Sequence, residues 1–301
     1  MKGALRYVLL LLSSGRYAKV SLIIKNWEVI LYMLLQEKLI DKIKEKCKFD
    51  PHISACMMYG SFTKGEGDQY SDVEFYIFLK NTEIKQFESS EWIRNIAPYD
   101  LLFLNEFGSE VVVFSNLIRG EFHFQPESEI KVIKTFKDTG VFPDTESMFI
   151  YDITGKLKAC LDALKGEGPK RMTNENVNFA FNNFVNAWLM GINVLKRGEF
   201  ARSSECLTYV QKYVLQLIRI REKNVERWLN ATKNLEDDLS EKAYSEYASI
   251  TSKLDKEELY LAYINALNVV EGLVLVLADY YHFDIDLMFI KKLNSYLTNH
   301  S

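Results

Sequence analysis

The sequence predicts an α+β protein whose strands and helices are segregated into two halves. Three observations carry this. The chain has 301 residues, and roughly 150 residues per domain sets an expectation of two domains. Strand-like alternation is confined to the stretch from Ile53 to Gln125. After about residue 128 the strand signals stop and long helical periods take over, which is the pattern of a sheet domain followed by a helical bundle.

Along the chain, residues 1–32 come first and are odd. Lys2 and Arg6 lead into the short apolar run Tyr7 to Leu12, followed by Ser13, Ser14 and Gly15. That loosely mimics a signal peptide, but the run is shorter than an h-region. A second methionine, Met33, opens a clean amphipathic pattern with Leu34, Leu35, Leu39, Ile40 and Ile43 on one face. The working domain is therefore read as starting near Met33, with 1–32 a non-core extension or a misassigned start. Ile53–Tyr59 is an apolar strand ended by Gly60-Ser61, a polar loop runs from Phe62 to Ser71, and Asp72–Leu79 alternates as a second strand. Ile84 to Ile96 reads as a helix stopped by Pro98. Leu101–Leu104, Glu110–Phe114 and Glu121–Gln125 complete a mixed sheet of about five strands. Helices are then expected over Asp152–Lys165, from Thr173 to Arg197, over Glu199–Lys223, over Glu257–Tyr281 and over Asp286–Leu297. The domains expected are 1–32 as extension, 33–140 as the sheet domain and 141–301 as the helical domain.

Composition narrows the function classes. The net charge is −4, which excludes affinity from a generally basic surface, as duplex nucleic-acid binders need. Sparse Pro (5) and Gly (14) argue against linkers and disorder. No uninterrupted apolar run reaches membrane-spanning length. Cys47, Cys56, Cys160 and Cys206 form no CxxC spacing, and the four His are scattered. The cysteines read as reduced, mostly buried thiols of a cytoplasmic protein, and no zinc site is expected.

The informative stretch is Gly60-Ser61, ten residues, then Asp72-Val73-Glu74. On a strand Asp72, Glu74 and Tyr76 share one face. Two acids side by side repel, and a cation between them resolves the repulsion. A divalent ion with oxygen ligands fits, since magnesium binds through one or two carboxylates plus substrate phosphates. Gly60-Ser61 ends a strand at a turn whose N–H groups and hydroxyl can bind phosphate oxygens. Taken singly, Gly-Ser is a common turn and Asp-x-Glu a common solvated face; the ordered combination is more specific. In Glu121-Phe-His-Phe-Gln125, Glu121, His123 and Gln125 share a face. Glu121 is preferred over Glu110 as a third acid, because the face of Glu110 is otherwise apolar. His123 is read as a structural partner of Glu121 rather than as a catalyst.

Met58-Tyr59-Gly60-Ser61 with Ser71-Asp72-Val73-Glu74-Phe75 resembles the signature of the polymerase-β-like nucleotidyltransferase superfamily. The strings CMMYGSFTKGEGDQYSDVEFYIFLK (56–80), NLIRGEFHF (116–124) and WLMGINVLKRGEFARS (188–203) resemble the lincosamide nucleotidyltransferases with a helical carboxy-terminal domain. The resemblance runs from about Met33 to near the end. It implies transfer of AMP from ATP to a hydroxyl of lincomycin or clindamycin, with pyrophosphate released and the antibiotic inactivated. It implies that Asp72 and Glu74 hold Mg²⁺ together with Glu121, that Gly60 and Ser61 contact the triphosphate, and that Glu121 is the catalytic base. A homodimer is implied as well.

In the second half, Lys196 and Arg202 flank a short turn, and the resemblance implies that they reach the triphosphate; Tyr209 and Lys212 are further candidates. The bland reading is a solvated helix whose stripe Leu207, Val210, Val214 and Leu217 is buried, with Arg202, Tyr209, Lys212, Gln216 and Arg219 on other faces. Asn178, Asn182 and Asn186 read as a polar helix face. Two alternatives stand beside the lincosamide reading. One is the same chemistry on an aminoglycoside. The other is a nucleotide-binding regulatory or antitoxin-like module, whose expected sign would be loss of one of the acids.

Overall fold

The structure is a computed structural model that describes residues 33–286 and 288–298. The readings made for residues 1–32 lie outside the described residues. The chain divides into two compact units, one comprising residues up to Lys137 with Phe142–Gly166, the other Asp138–Val141 with the residues from Glu167 on.

The first unit opens with helix α1 (Leu35–Phe49), whose Leu39, Ile40, Ile43 and Cys47 are buried at helical spacing. At its start Glu37 reaches back to accept the Leu34 N–H at 2.7 Å, satisfying one of the helix's orphan donors. Strands β1 (Ile53–Tyr59), β2 (Val73–Leu79), β3 (Tyr99–Leu104), β4 (Glu110–Phe114), β5 (Arg119–Pro126) and β6 (Phe149–Asp152) form one six-stranded sheet in the order β3-β4-β5-β2-β1-β6. All neighbours are antiparallel except β2 and β5, which run parallel. One sheet face packs beneath α1 and the short helix α2 (Ser89–Arg94) through Phe75, Ile77, Trp92, Phe114 and Phe122. The other is covered at one end by α3 (Lys156–Leu164) and the 3-10 segment Glu127–Asp138, through Met57, Phe78, Ile133, Leu157 and Leu161.

This unit departs from expectation in three places. It extends past residue 140 because β6 pairs with β1, Cys56 opposite Tyr151, and α3 packs on that same sheet. The helix read over Ile84–Ile96 shrinks to Ser89–Arg94. That read over Asp152–Lys165 begins only at Lys156, because Asp152 uses Oδ1 to accept the Thr154 and Gly155 N–H groups and Oδ2 to accept that of Lys158.

The second unit is helical. Helices α4 (Asn174–Lys196) and α5 (Phe200–Arg221) pack as a hairpin, with α6 (Leu235–Asp238), α7 (Glu241–Ala248), α8 (Lys256–Leu277) and α9 (Met288–Thr298) completing the bundle. Thr173, Ser240 and Asp255 cap α4, α7 and α8, as their side-chain oxygens suit them to do. Gly198, at φ +81°, ends α4: its N–H donates to Leu195 O and that of Glu199 to Val194 O, the paired bonds of a left-handed glycine stop. Helix α8 is long and apolar enough to cross a membrane by length and composition. Its Leu259, Tyr263, Leu267, Val270 and Val274 lie in the bundle core.

Two solvated-face readings are corrected here. Gln216 and Arg219 are buried, Arg219 completely. Arg219 donates to Ala231 O, Lys233 O, Asn224 Oδ1 and Asp238 Oδ2, so its charge is buried against a ring of acceptors that ties down the loop after α5. Asn178 is buried too. It donates to His282 O and accepts the Asp284 N–H, while Asn182 and Asn186 stay exposed. All four cysteines are free and buried.

Candidate active site

The parallel pairing of β2 with β5 builds the site. The register sets Glu74 beside Glu121 and Tyr76 beside His123, and on the other side of β2 Tyr59 lies opposite Glu74. Paired strand positions share a face, so these groups gather on one face, with Asp72 at the entrance to β2. Glu110 is paired with Phe122 and Val111 with Glu121, so Glu110 points to the opposite face. Burial raises its pKa, and its Oε2 has no hydrogen-bond partner among the described residues. Glu121 therefore shares a face with Glu74, and Glu110 does not.

The loop that delivers Asp72 is held at both ends. Gln36 on α1 is buried and donates to Gln69 O at 2.7 Å, and Asp68 Oδ1 accepts both the Tyr70 N–H and the Ser71 hydroxyl. At the other edge Gly60 takes φ +84°, ψ −157°, a conformation essentially confined to glycine. It leads into the single 3-10 turn Ser61–Lys64, where Thr63 Oγ1 donates to Gly60 O. Beyond its freedom at the turn, glycine is required here by crowding, because a Cβ would collide with the Glu74 carboxylate.

A cation does lie between acids of this face, and it is a side chain. Arg119 hydrogen-bonds Asp72 Oδ2 through Nη1 and Glu121 Oε2 through Nη2, the latter at 2.8 Å. Burial works against its charge, but the bonds to Glu121 and Asp72 outweigh it and raise its pKa. Behind Glu121 stands His123, with Nε2 3.4 Å from Glu121 Oε1 and 2.9 Å from the Tyr59 hydroxyl. Its Nδ1 lies 3.2 Å from Ser109 Oγ, and its ring stacks on Tyr76 at 4.1 Å. Burial draws the imidazole pKa down, against the pull of Glu121. Burial pushes the Tyr59 phenol well up, helped by Glu74 and Glu121. Sequence reasoning missed Arg119, Tyr59 and Ser109. Arg119 was visible in principle, two residues before Glu121 and thus on the same strand face.

Among the described residues no three His, Cys, Asp or Glu side chains converge as a metal-holding group. The donor chemistry nevertheless suits magnesium: carboxylate oxygens on adjoining strands, two of which already embrace a guanidinium. Lys196 and Arg202 belong to the second unit. Lys196 donates to Tyr296 O at 3.2 Å and sits 4.4 Å from the Tyr296 ring centroid, with burial lowering its pKa. Arg202 is exposed and pairs with Glu199 at 3.3 Å. Tyr209 is exposed, and Lys212 lies against the Tyr213 ring.

Comparison with known proteins adds two family matches. Residues 41–129 match the polymerase beta nucleotidyltransferase domain. Residues 173–296 match the lincosamide nucleotidyltransferase-like C-terminal domain. No curated protein matches the sequence. Among solved structures, an aminoglycoside 6-adenyltransferase from Bacillus subtilis is similar at 12% identity and TM-score 0.41, covering 88% of this chain and 97% of that one. A nucleotidyltransferase-like protein from Exiguobacterium sibiricum 255-15 is similar at 13% identity and TM-score 0.35, covering 82% and 78%.

Proposed function

We propose that this chain, a nucleotidyltransferase with a lincosamide nucleotidyltransferase-like C-terminal domain, transfers AMP from ATP to a hydroxyl of a lincosamide antibiotic. The observation that carries the reading is the placement of Asp72, Glu74 and Glu121 on one sheet face beside the Gly60-Ser61 turn. Glu121 takes the proton of the drug hydroxyl. That oxygen attacks the α-phosphorus, the bond from the α-phosphorus to the bridging oxygen breaks, and pyrophosphate leaves. Ser61 and the N–H groups of its turn bind phosphate oxygens. Asp72 and Glu74, with Glu121, would hold Mg²⁺, which when bound offsets phosphate charge. His123, Tyr59 and Ser109 orient Glu121. Lys196 and Arg202 are carried, on the resemblance, as cations for the leaving pyrophosphate. The reading includes a cytoplasmic homodimer, checked by light scattering of the purified protein.

The test is to incubate the protein with ATP, Mg²⁺ and either clindamycin or kanamycin and to weigh the products. A gain of one AMP on clindamycin alone is expected. A gain on kanamycin instead keeps the chemistry and overturns the acceptor. The match of residues 173–296 is what favours the lincosamide, because the sheet motif addresses nucleotide and metal alone.

A further inference from the structure

We infer that Arg119 is a built-in competitor for the cation position: Asp72 and Glu121 exchange its guanidinium for a divalent metal ion. The inference rests on the proposed metal role of these carboxylates. Its grounds are geometric. Arg119 and Glu121, two apart on β5, share a face, and the pairing of Val73 with Gly120 brings Arg119 alongside Asp72. The planar fork then gives one nitrogen to each carboxylate, and an oxygen engaged by a guanidinium is not free to ligate a metal. The three side chains are 39%, 36% and 18% exposed, so the exchange needs rotamer changes and no opening of the core. A guanidinium suits phosphate as well as carboxylate, so the triphosphate of an incoming nucleotide can accept the displaced side chain.

The experiment is a Mn²⁺ titration of the full chain without nucleotide, read by electron paramagnetic resonance. Arg119→Met should bind Mn²⁺ roughly five- to tenfold more tightly than the parent, the size expected for removing two charge-assisted bonds at a half-exposed site. Arg119→Lys, which keeps the charge but loses the fork, should fall between. Equal or weaker binding by Arg119→Met overturns the inference and assigns Arg119 a scaffolding role. Binding that survives Asp72→Asn places the ion elsewhere and overturns it as well. No Mn²⁺ binding by any of the proteins overturns the metal reading itself. If Arg119→Met fails to fold, Mg²⁺ is titrated into the parent while the arginine side-chain nitrogen resonances are followed. A shift of the Arg119 signal is then expected, and an unchanged signal at saturation overturns the exchange.

Discussion

Gly60 and Glu74 compete for one volume: a Cβ on Gly60 would stand 1.6 Å from Glu74 Oε2. Gly60→Ala must therefore move the carboxylate and also strain the backbone, at a cost of about 1–3 kcal/mol. Transfer is expected to fall by about 10²-fold or more, as for other small displacements of a reacting group. Gly65→Ala is the control. It has positive φ but open space around it, so it should lower the melting temperature and spare transfer.

Glu121→Gln keeps the shape of the side chain and removes the proposed base. Turnover should drop by about 10²–10⁴-fold, with ATP binding by calorimetry little changed. Near-normal turnover would take Glu121 out of the base role.

Arg219→Met leaves Ala231 O, Lys233 O and Asn224 Oδ1 without this donor, while Asp238 Oδ2 keeps its bond from Arg227 Nε. Leaving buried acceptors unpaired costs about 1–3 kcal/mol each. Urea denaturation should show that loss, while Arg202→Met at an exposed pair should stay within about 0.5 kcal/mol of the parent.

Asp50 Oδ1 accepts the His52 N–H at 3.0 Å and lies 2.8 Å from His52 Nδ1, and Oδ2 accepts Trp92 Nε1–H at 2.9 Å. Burial alone would raise its pKa, but the bonds from His52 and Trp92 prevail and hold it below the ordinary 3.8. The unfolded chain then binds the proton more readily than the folded one. The stability Asp50 contributes is complete above the unfolded value and fades as pH falls through the lower folded one. Asp50→Asn should be less stable than the parent at neutral pH, and urea midpoints should show the gap narrowing below about pH 4.

The strands from Ile53 to Gln125 were legible because alternation and turn residues coincide there. Strand β6 was not: Phe149–Asp152 is four residues long, too short to establish a period. The acids Asp72, Glu74 and Glu121 could be read from strand spacing, but the parallel register that sets Glu74 beside Glu121 could not. Arg219 was misread because an arginine at the end of a helix is ordinarily solvated, and its partners come from the loop and helix that follow. For Gly60 the turn was foreseen, and the collision with Glu74 emerged only once β1 and β2 were paired.

The parallel contact between β2 and β5 also sets when the acidic face comes into being. The β1–β2 hairpin is local and carries Asp72 and Glu74 early in synthesis. Arg119, 47 residues from Asp72, can arrive only after the β3–β4 hairpin has been made and the chain has crossed back. Such a long-range closure is slow relative to hairpin formation. A nascent chain stopped before β5 would thus present two neighbouring acids with neither the third carboxylate nor the arginine that offsets them, and the face would exist as chemistry only once the crossover is complete.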